Sequence, residues 1–487
     1  MKAADQLLRR CRLLDAARGR WKGNGRKHPL PSFSLKPHHF GDLFSASPSD
    51  FHSQLCNLIR NAQERVYIAS LYIGPGASLQ YHQEVEFLDA LKSLESSHDV
   101  SIKIVMDRNR ALRKIQNESG IMTSSAQAVA QALQFQHSKQ PSLHLFQALP
   151  SPFDYLLPNP LNEVAGVFHI KAYIVDDSLI LSGANLSQEY FTNRQDRYIW
   201  ICNGGNGLVD FYAQMIEILC ENSSTYPTLV DSKSSPYQNT NNLLNQINRH
   251  FREENAQSSE ELLSSSDTVA VGIPTFHAPK GFWPNEPEYW TDVEAILALL
   301  EEGIQETSRV QLSSAYLNPT MDLLRAISDY PEIDFVTAGR LSHGFAPKTH
   351  KTAGNQQRDW IPTVFDHLAD QTMKEAAAKL YHWERKDWTF HSKGLWIKHG
   401  EDLAAAAVGS SNFGGRSFVR DMESNLLMVF PPSTDQAKLE AIAKPLQDEW
   451  KEIMKHSKMV NTKALVERAP PLPIHIQSLL PYIKTFF

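Results

Sequence analysis

Two short stretches, "FHIKAYIVD" from Phe168 and "FHSKGLWIK" from Phe390, each place a histidine two residues before a lysine inside an otherwise apolar run. Read as β-strands with a period of two, the first puts His169, Lys171 and Tyr173 on one face and Ile170, Ala172 and Ile174 on the other. One His-x-Lys pair is ordinary for a solvated strand face. Two are not, because each copy leads to a small-residue turn ending in asparagine, Asn185 in "SGANLS" and Asn412 in "GSSNFGGRS". Each asparagine is followed 11 residues later by a carboxylate, Asp196 or Glu423. Arginines accompany both carboxylates: Arg194 and Arg197 in the first copy, Arg416 and Arg420 in the second.

A phosphodiester or diphosphate needs its non-bridging oxygens neutralised, a nucleophile in line and an acid for the leaving group. Lys171, Lys393, Asn185 and Asn412 suit the first task. One histidine can attack phosphorus and form a phosphohistidine while the other protonates the departing oxygen, and the roles then reverse. An imidazole used in this way needs its far nitrogen held by a carboxylate, which fixes the tautomer and favours the cation that forms. Asp196 and Glu423 fit that duty.

The elements that position these groups are also written twice. Residues 51–73, "FHSQLCNLIRNAQERVYIASLYI", and 290–317, "WTDVEAILALLEEGIQETSRVQLSSAYL", each read as an amphipathic helix running into a strand. Arg65 and Arg309 in these segments are 244 residues apart, and the two histidines 222 apart, as a diverged duplication requires. Each half offers a further strand ending in arginine, "VSIKIVMDR" from Val100 and "IDFVTAGR" from Ile333. The expected organisation is a basic N-terminal segment (1–45), a first half (46–220), a Ser- and Asn-rich linker or insertion (221–265), a second half (266–465) and an apolar tail (466–487).

With 487 residues, 42% hydrophobic and 21% charged, the chain has the composition of an ordinary globular protein with two cores. A net charge of -6 does not advertise nucleic acid. Cys11, Cys56, Cys202 and Cys220 form no CxxC pair, which argues against a disulfide scaffold or structural zinc and for a reducing compartment. No run of about 18 apolar residues is present, so any membrane contact is expected to be peripheral. The first thirty residues are strongly basic, with Leu7, Cys11 and Leu14 at helical spacing against Arg9, Arg10 and Arg12, as in an amphipathic targeting segment or a solvated basic helix.

His169, Lys171 and Asp176 complete the His-x-Lys-x4-Asp signature of the phospholipase D superfamily, which the sequence resembles. The second copy departs from it, with Lys398 where the aspartate would stand. In that family the aspartate mainly braces the strand and turn, so the match weakens without losing the reacting groups; tyrosyl-DNA phosphodiesterases lack it as well. "SLYIG", "LSGANLSQEYFTNRQDRY", "FHSKGLWI" and "GSSNFGGRSFVRD" resemble one branch of the superfamily more closely, the eukaryotic phosphatidylglycerophosphate synthases. The resemblance implies an α/β fold of two pseudo-symmetric halves, each a mixed sheet flanked by helices, sharing one central cleft. It implies a mitochondrial protein, peripheral on the matrix side of the inner membrane, that moves the phosphatidyl group of CDP-diacylglycerol onto the C1 hydroxyl of glycerol 3-phosphate. CMP is released, in the committed step toward phosphatidylglycerol and cardiolipin. His169 is expected to be the nucleophile and His391 the acid and base. The motif brings Asp176 into the catalytic set. A phosphatidylserine synthase, a phospholipase D-type phosphodiesterase or nuclease, and a catalytically inactive lipid-binding scaffold are the competing readings, and two copies could associate as a homodimer.

Further cations could gather substrate phosphates: Arg108 in "DRNR", and Arg340 and Lys348 in "GRLSHGFAPKTHK". The apolar, Pro-rich "PFDYLLPNPL" and "GFWPNEPEYW" and the tail "PIHIQSLLPYIKTFF" could dip into a bilayer interface or simply dock on the core. No Gly-rich phosphate loop, His-E-x-x-His or Asp-rich cluster is present, so no metal site is expected and no cofactor required, although a divalent cation could assist at the diphosphate.

Overall fold

The computed structural model describes residues 2–20, 27–42, 47–78, 80–96, 99–117, 119–134, 140–148, 166–228, 236–252, 257–279, 282–283, 285–345, 360–432, 435–468, 472 and 474. Both duplicated helix–strand units form as expected. Pro48–Arg60 and Asp292–Glu302 are helices that open with capping boxes, Ser47 with Asp50 and Thr291 with Glu294, so each first turn has its orphan N–H groups satisfied reciprocally. Each runs into a strand, Arg65–Ser70 or Ser308–Ser313.

Around those strands the halves repeat one topology. The first sheet runs Tyr198–Ile201, Ser178–Ser182, Ala172–Val175, Arg65–Ser70, Ser101–Asp107, Ser142–Phe146 and Ser224–Tyr226. The second has the same order in Asn425–Val429, Asp402–Gly409, Gly394–His399, Ser308–Ser313, Glu332–Ala338, Lys379–Trp383 and Ser457–Met459. In each, the central strand, Arg65–Ser70 or Ser308–Ser313, begins two successive parallel pairings on one side, and all other pairings are antiparallel. Two more strands, Ala270–Pro274 and Phe33–Leu35, extend the second sheet. The period of two decides which core each side chain enters. Val66 and Ile68 pack beneath Phe51, Leu55 and Ile59 of the first helix. Tyr67 and Ala69 face a central core shared with the helix Leu208–Glu221 and the second sheet.

Several expectations are corrected. The His-x-Lys stretches are not continuous strands: regular pairing begins only at Ala172 and Gly394, and the residues ahead leave their own sheet to bridge the other half. The segments 1–45 and 221–265 do not stand apart either. Phe33–Leu35 pairs with the second sheet, Ser224–Tyr226 is an edge strand of the first, and the patch "LLNQINRHF" belongs to the helix Pro236–His250, which packs on Leu208–Glu221. Lys2–Arg18 is the expected amphipathic helix, with Leu13, Leu14 and Ala17 buried where it lies against Asp292–Glu302. In "GFWPNEPEYW", Phe282 and Tyr289 turn into the core and Trp283 packs against Phe276 and Phe282, so these described residues are not offered to a bilayer. The stretch 152–161, Lys348 and nearly all of the C-terminal tail lie outside the described residues, although Leu472 is buried against Ile361 and Val364.

Asp176 braces the strand and turn, as the resemblance implies, and so does not stand with the reacting groups of the catalytic set. Its carboxylate accepts the backbone N–H groups of Gln63, Glu64 and Arg65 at 2.8–3.2 Å, bracing the turn between the first helix and its strand. Among the described residues it touches neither histidine. Asp176→Ala leaves three backbone donors without that acceptor and is expected to cost about 1–3 kcal/mol. The check is a lowered denaturant midpoint, with near-normal turnover per folded molecule well below the transition.

Candidate active site

The two bridging stretches exchange partners across the interface. Phe168 bridges Met422, and the His169 N–H donates to the Met422 carbonyl at 2.9 Å. In the other half, Thr389 and Phe390 pair with Arg194 and Gln195, and the His391 N–H donates to the Gln195 carbonyl at 2.8 Å. Each histidine therefore lies beside the carboxylate of the opposite half. Nδ1 of His169 is 3.0 Å from both carboxylate oxygens of Glu423. Nδ1 of His391 is 2.7 Å from Oδ2 of Asp196. Both carboxylates are fully buried, so each is an undiluted acceptor that holds its histidine in the Nδ1–H tautomer and leaves Nε2 with its lone pair.

The lysines repeat the same local geometry. Lys171 Nζ donates to the His169 carbonyl at 2.6 Å, and Lys393 Nζ to the His391 carbonyl at 2.8 Å. Lys393 Nζ also lies 2.7 and 3.1 Å from Nδ1 and Nε2 of the His391 ring. Since Nδ1 gives its proton to Asp196, the ring acceptor open to the ammonium is Nε2. Gly183 allows this approach: a Cβ there would sit 2.5 Å from Asp196 Oδ1 and 3.0 Å from Lys393 Cδ. Asn185 Nδ2 donates to the Tyr190 hydroxyl at 3.1 Å, and that hydroxyl is 3.3 Å from His391 Nε2. The amide oxygens of Asn185 and Asn412 are buried and have no hydrogen-bond partner among the described residues. Turning either amide through 180° would replace that unsatisfied acceptor with a donor, the polarity a phosphate oxygen requires.

Burial dominates the electrostatics. It pushes both imidazoles well below their ordinary pKa, helped for each by its own half's lysine and by the lysine of the other half. Lys171 is lowered to about 7 and Lys393 to about 8, again chiefly by desolvation, with Glu423 and Asp196 opposing. Desolvation raises Asp196 to about 6, against the charge of Lys393, and raises Glu423 against the charge of Lys171. His391 senses His169, and Lys171 senses Lys393, so the four groups share one low-dielectric space. Such a set is poised to take an anion that brings its own negative charge.

The six arginines divide. Arg197 is a correction: it is 1% exposed, stacks 3.9 Å over Trp396, donates to the carbonyls of Lys393 and Ala407 and pairs with Glu449 at 2.7 Å. It ties the Lys393 segment to the core and offers nothing to a ligand. Arg194 pairs with Glu189 at 2.6 Å, donates to Thr389 and lies over the Tyr190 ring. Its charge still reaches His391 and Lys393. Arg416 bonds Asp421 at 2.9 Å, and its charge reaches both His169 and Arg420. Arg340 is bound to Asp366 and Thr363, and Arg108 to Gln147. Sequence reasoning missed Tyr190 and Tyr316, whose rings meet His391 edge-on at 5.1 and 6.2 Å. Asp107, in the "DRNR" stretch at a strand end, takes the capping role: it accepts the Arg110 N–H at 2.9 Å and also the Phe168 N–H at 2.9 Å. Tyr190 lies in the quoted "SQEYF", but nothing in its type distinguishes it from a core aromatic.

Residues 55–219 match the family described as "Cardiolipin synthase, PLD-like domain". Among solved structures, the phosphatidylserine synthase of Haemophilus influenzae superposes with a TM-score of 0.67 at 19% identity, over 93% of this chain and 94% of that one, which is a likeness of fold. The family match and the paired His-x-Lys segments liken the chain to the phospholipase D superfamily. Within that likeness, it is similar to the mitochondrial CDP-diacylglycerol–glycerol-3-phosphate 3-phosphatidyltransferases. It is 27% identical over 500 residues to that of Homo sapiens, covering 94% of this chain and 84% of the relative. The Gallus gallus protein of the same name is 27% identical over 501 residues, covering 94% and 85%.

The depressed lysines give a pH-dependent signature. With Lys171 lowered to about 7 and Lys393 to about 8, the empty cleft is expected to give up lysine protons by pH 8, and a bound phosphate stabilises the charged forms. CMP binding at pH 8 is therefore expected to take up on the order of one proton. Titration calorimetry in buffers of different ionisation enthalpy measures it; zero uptake or proton release would contradict the assignment.

Proposed function

We propose that the protein is a phosphatidyltransferase that converts CDP-diacylglycerol and glycerol 3-phosphate to phosphatidylglycerophosphate and CMP at this cleft. The observation that carries the reading is the crossed pair of buried histidine–carboxylate contacts, 3.0 Å for His169–Glu423 and 2.7 Å for His391–Asp196. Two tautomer-fixed imidazoles, each with a lysine beside it, suit two successive in-line displacements at one phosphorus. The choice of donor and acceptor is supported by similarity to relatives bearing that activity in their names over most of the chain.

On this reading His169 Nε2, which has no hydrogen-bond partner among the described residues, attacks the phosphorus bearing the diacylglycerol group. The bond to the CMP oxygen breaks, and His391, protonated at Nε2 once the anion is bound, gives its proton to that oxygen. The phosphatidyl group is then held on His169. Neutral His391 next removes the proton from the C1 hydroxyl of glycerol 3-phosphate, whose oxygen attacks phosphorus and releases His169. Tyr190, 3.3 Å from His391 Nε2, holds that ring at the atom where both proton transfers occur. Lys171, Lys393, Asn185 and Asn412 face the phosphoryl oxygens, and Arg416 with Arg420 is the preferred anchor for the acceptor phosphate. No resident metal or cofactor is required, though a divalent cation could accompany the diphosphate. The setting is peripheral to a membrane; a mitochondrial location is supported by the names of those relatives, and the matrix side of the inner membrane is the placement that the resemblance implies.

Three measurements test this. Purified protein is expected to release CMP from CDP-diacylglycerol in proportion to added glycerol 3-phosphate and to make negligible phosphatidylserine with serine; comparable turnover of serine would shift the reading to a serine-using enzyme. Substituting His391→Ala and supplying labelled CDP-diacylglycerol should trap label on His169, with kcat reduced roughly 10²- to 10⁴-fold. Arg416→Gln is expected to raise the KM for glycerol 3-phosphate more than that for CDP-diacylglycerol, whereas equal changes would mean that it serves the donor instead.

A further inference from the structure

Arg10, in the N-terminal helix, is a buried guanidinium without a counter-charge in contact. It is 4% exposed, its Nε has no hydrogen-bond partner, and no described carboxylate lies within ion-pair distance. Nη1 instead donates to Nδ1 of His399 at 2.7 Å. His399 is neutral, lowered to about 4 by burial and then by Arg10 itself, and its Nε2–H donates to the Gly303 carbonyl at 3.0 Å. A neutral acceptor satisfies one N–H and leaves the charge uncompensated. Burial accordingly lowers Arg10 to about 10, opposed only by the more distant Asp402. An unpaired charge at this depth is expensive to keep unless an opposite charge completes it.

The same side chain lines a cavity of about 180 Å³ between the N-terminal helix, the start of the strand Asp402–Gly409 and the helix Lys444–Lys455. Lys438, Lys444, Glu401 and Asp402 share its wall. Glu401 is engaged by Lys398 at 3.2 Å and Lys444 by Glu440 at 3.4 Å, so Arg10 and Lys438 face a single uncommitted carboxylate, Asp402, among the described residues. None of the histidines, lysines or carboxylates of the catalytic cleft lines this cavity.

We propose that the cavity is a second anion site, which takes the phosphate group of a small phosphomonoester or of an anionic lipid headgroup on Arg10, flanked by Lys438 and Lys444. A guanidinium fork with ammonium groups beside it matches phosphate in geometry and charge. The occupant would fasten the N-terminal helix to the second half, and through Arg10 and His399 it would bear on the far end of the strand Gly394–His399 that follows Lys393.

The test uses the full chain carrying Lys171→Met, Lys393→Met, Arg416→Gln and Arg420→Gln, which removes the cleft lysines and the proposed acceptor anchor. Calorimetric titration with inorganic phosphate and with glycerol 3-phosphate is expected to show one saturable site per chain. Lys438→Gln with Lys444→Gln should weaken it roughly tenfold, as loss of charge-assisted contacts predicts, and Arg10→Met should abolish it. The lysine pair sits toward solvent, so unchanged circular dichroism of that variant separates lost binding from lost folding. Flotation with phosphatidylcholine vesicles, with and without phosphatidylglycerol, distinguishes the sources: a headgroup ligand gives glycerolipid-dependent flotation lost in the same variants, with weak binding of the soluble probes. No saturable binding of any probe, or binding that the substitutions leave unchanged, would overturn the assignment.

Discussion

Each imidazole of the cleft takes its carboxylate from the opposite half of the chain. His169 and Glu423 are 254 residues apart, and His391 and Asp196 are 195 apart. Neither half alone could present a histidine with its tautomer held, so the duplication yields one composite site instead of two simple ones. The backbone enforces the exchange, because the peptide N–H of each histidine also donates to the residue just before the opposing carboxylate. Other features follow from that crossing. The His-x-Lys segments must leave their own sheets before the histidine, Gly183 must be small enough for Lys393 to pass, and Arg197 must reach back to hold the Lys393 carbonyl.

Gathering two histidines, two lysines and two carboxylates away from water would ordinarily be unfavourable. Here the desolvation is tuned to the ligand. Burial outweighs every pairwise attraction in the empty cleft, so the imidazoles are neutral, the lysines have lost much of their affinity for protons and the carboxylates have gained some. A phosphoryl dianion reverses the balance by stabilising the protonated lysines and one imidazolium. The charge state that chemistry needs is thus assembled by the substrate, at the place where low dielectric makes each contact strongest.

The two halves have drifted where the reaction does not constrain them. In the first, Asp176 closes the turn before the central strand by accepting three backbone N–H groups. In the second, Lys398 replaces it, the strand bulges between Ile397 and Lys398, and the corresponding turn is held by His399 on Gly303 and by the Gly400 N–H on Thr307. His399 in turn rests on Arg10, so the N-terminal helix has become part of the second half's bracing. The second sheet also carries Ala270–Pro274 and Phe33–Leu35, which have no counterpart in the first among the described residues.

The sequence by itself determined the duplication, the helix–strand units, the α/β class and the identity of the His, Lys, Asn and carboxylate groups. These are local or periodic properties: a period of two or 3.6, and a motif repeated in the same order. Only the tertiary structure decided which carboxylate serves which histidine, because equal spacing within each copy is compatible with pairing inside a half or between halves. It also decided the fate of the arginines. Arg194, Arg197, Arg416 and Arg420 look alike along the chain, yet Arg197 is sealed in the core by Glu449 and Trp396 while Arg416 remains within electrostatic reach of His169. Burial and partner choice depend on residues hundreds of positions away, and no local pattern records them. The same holds for Tyr190, an unremarkable aromatic in sequence, which folding sets 3.3 Å from the nitrogen of His391.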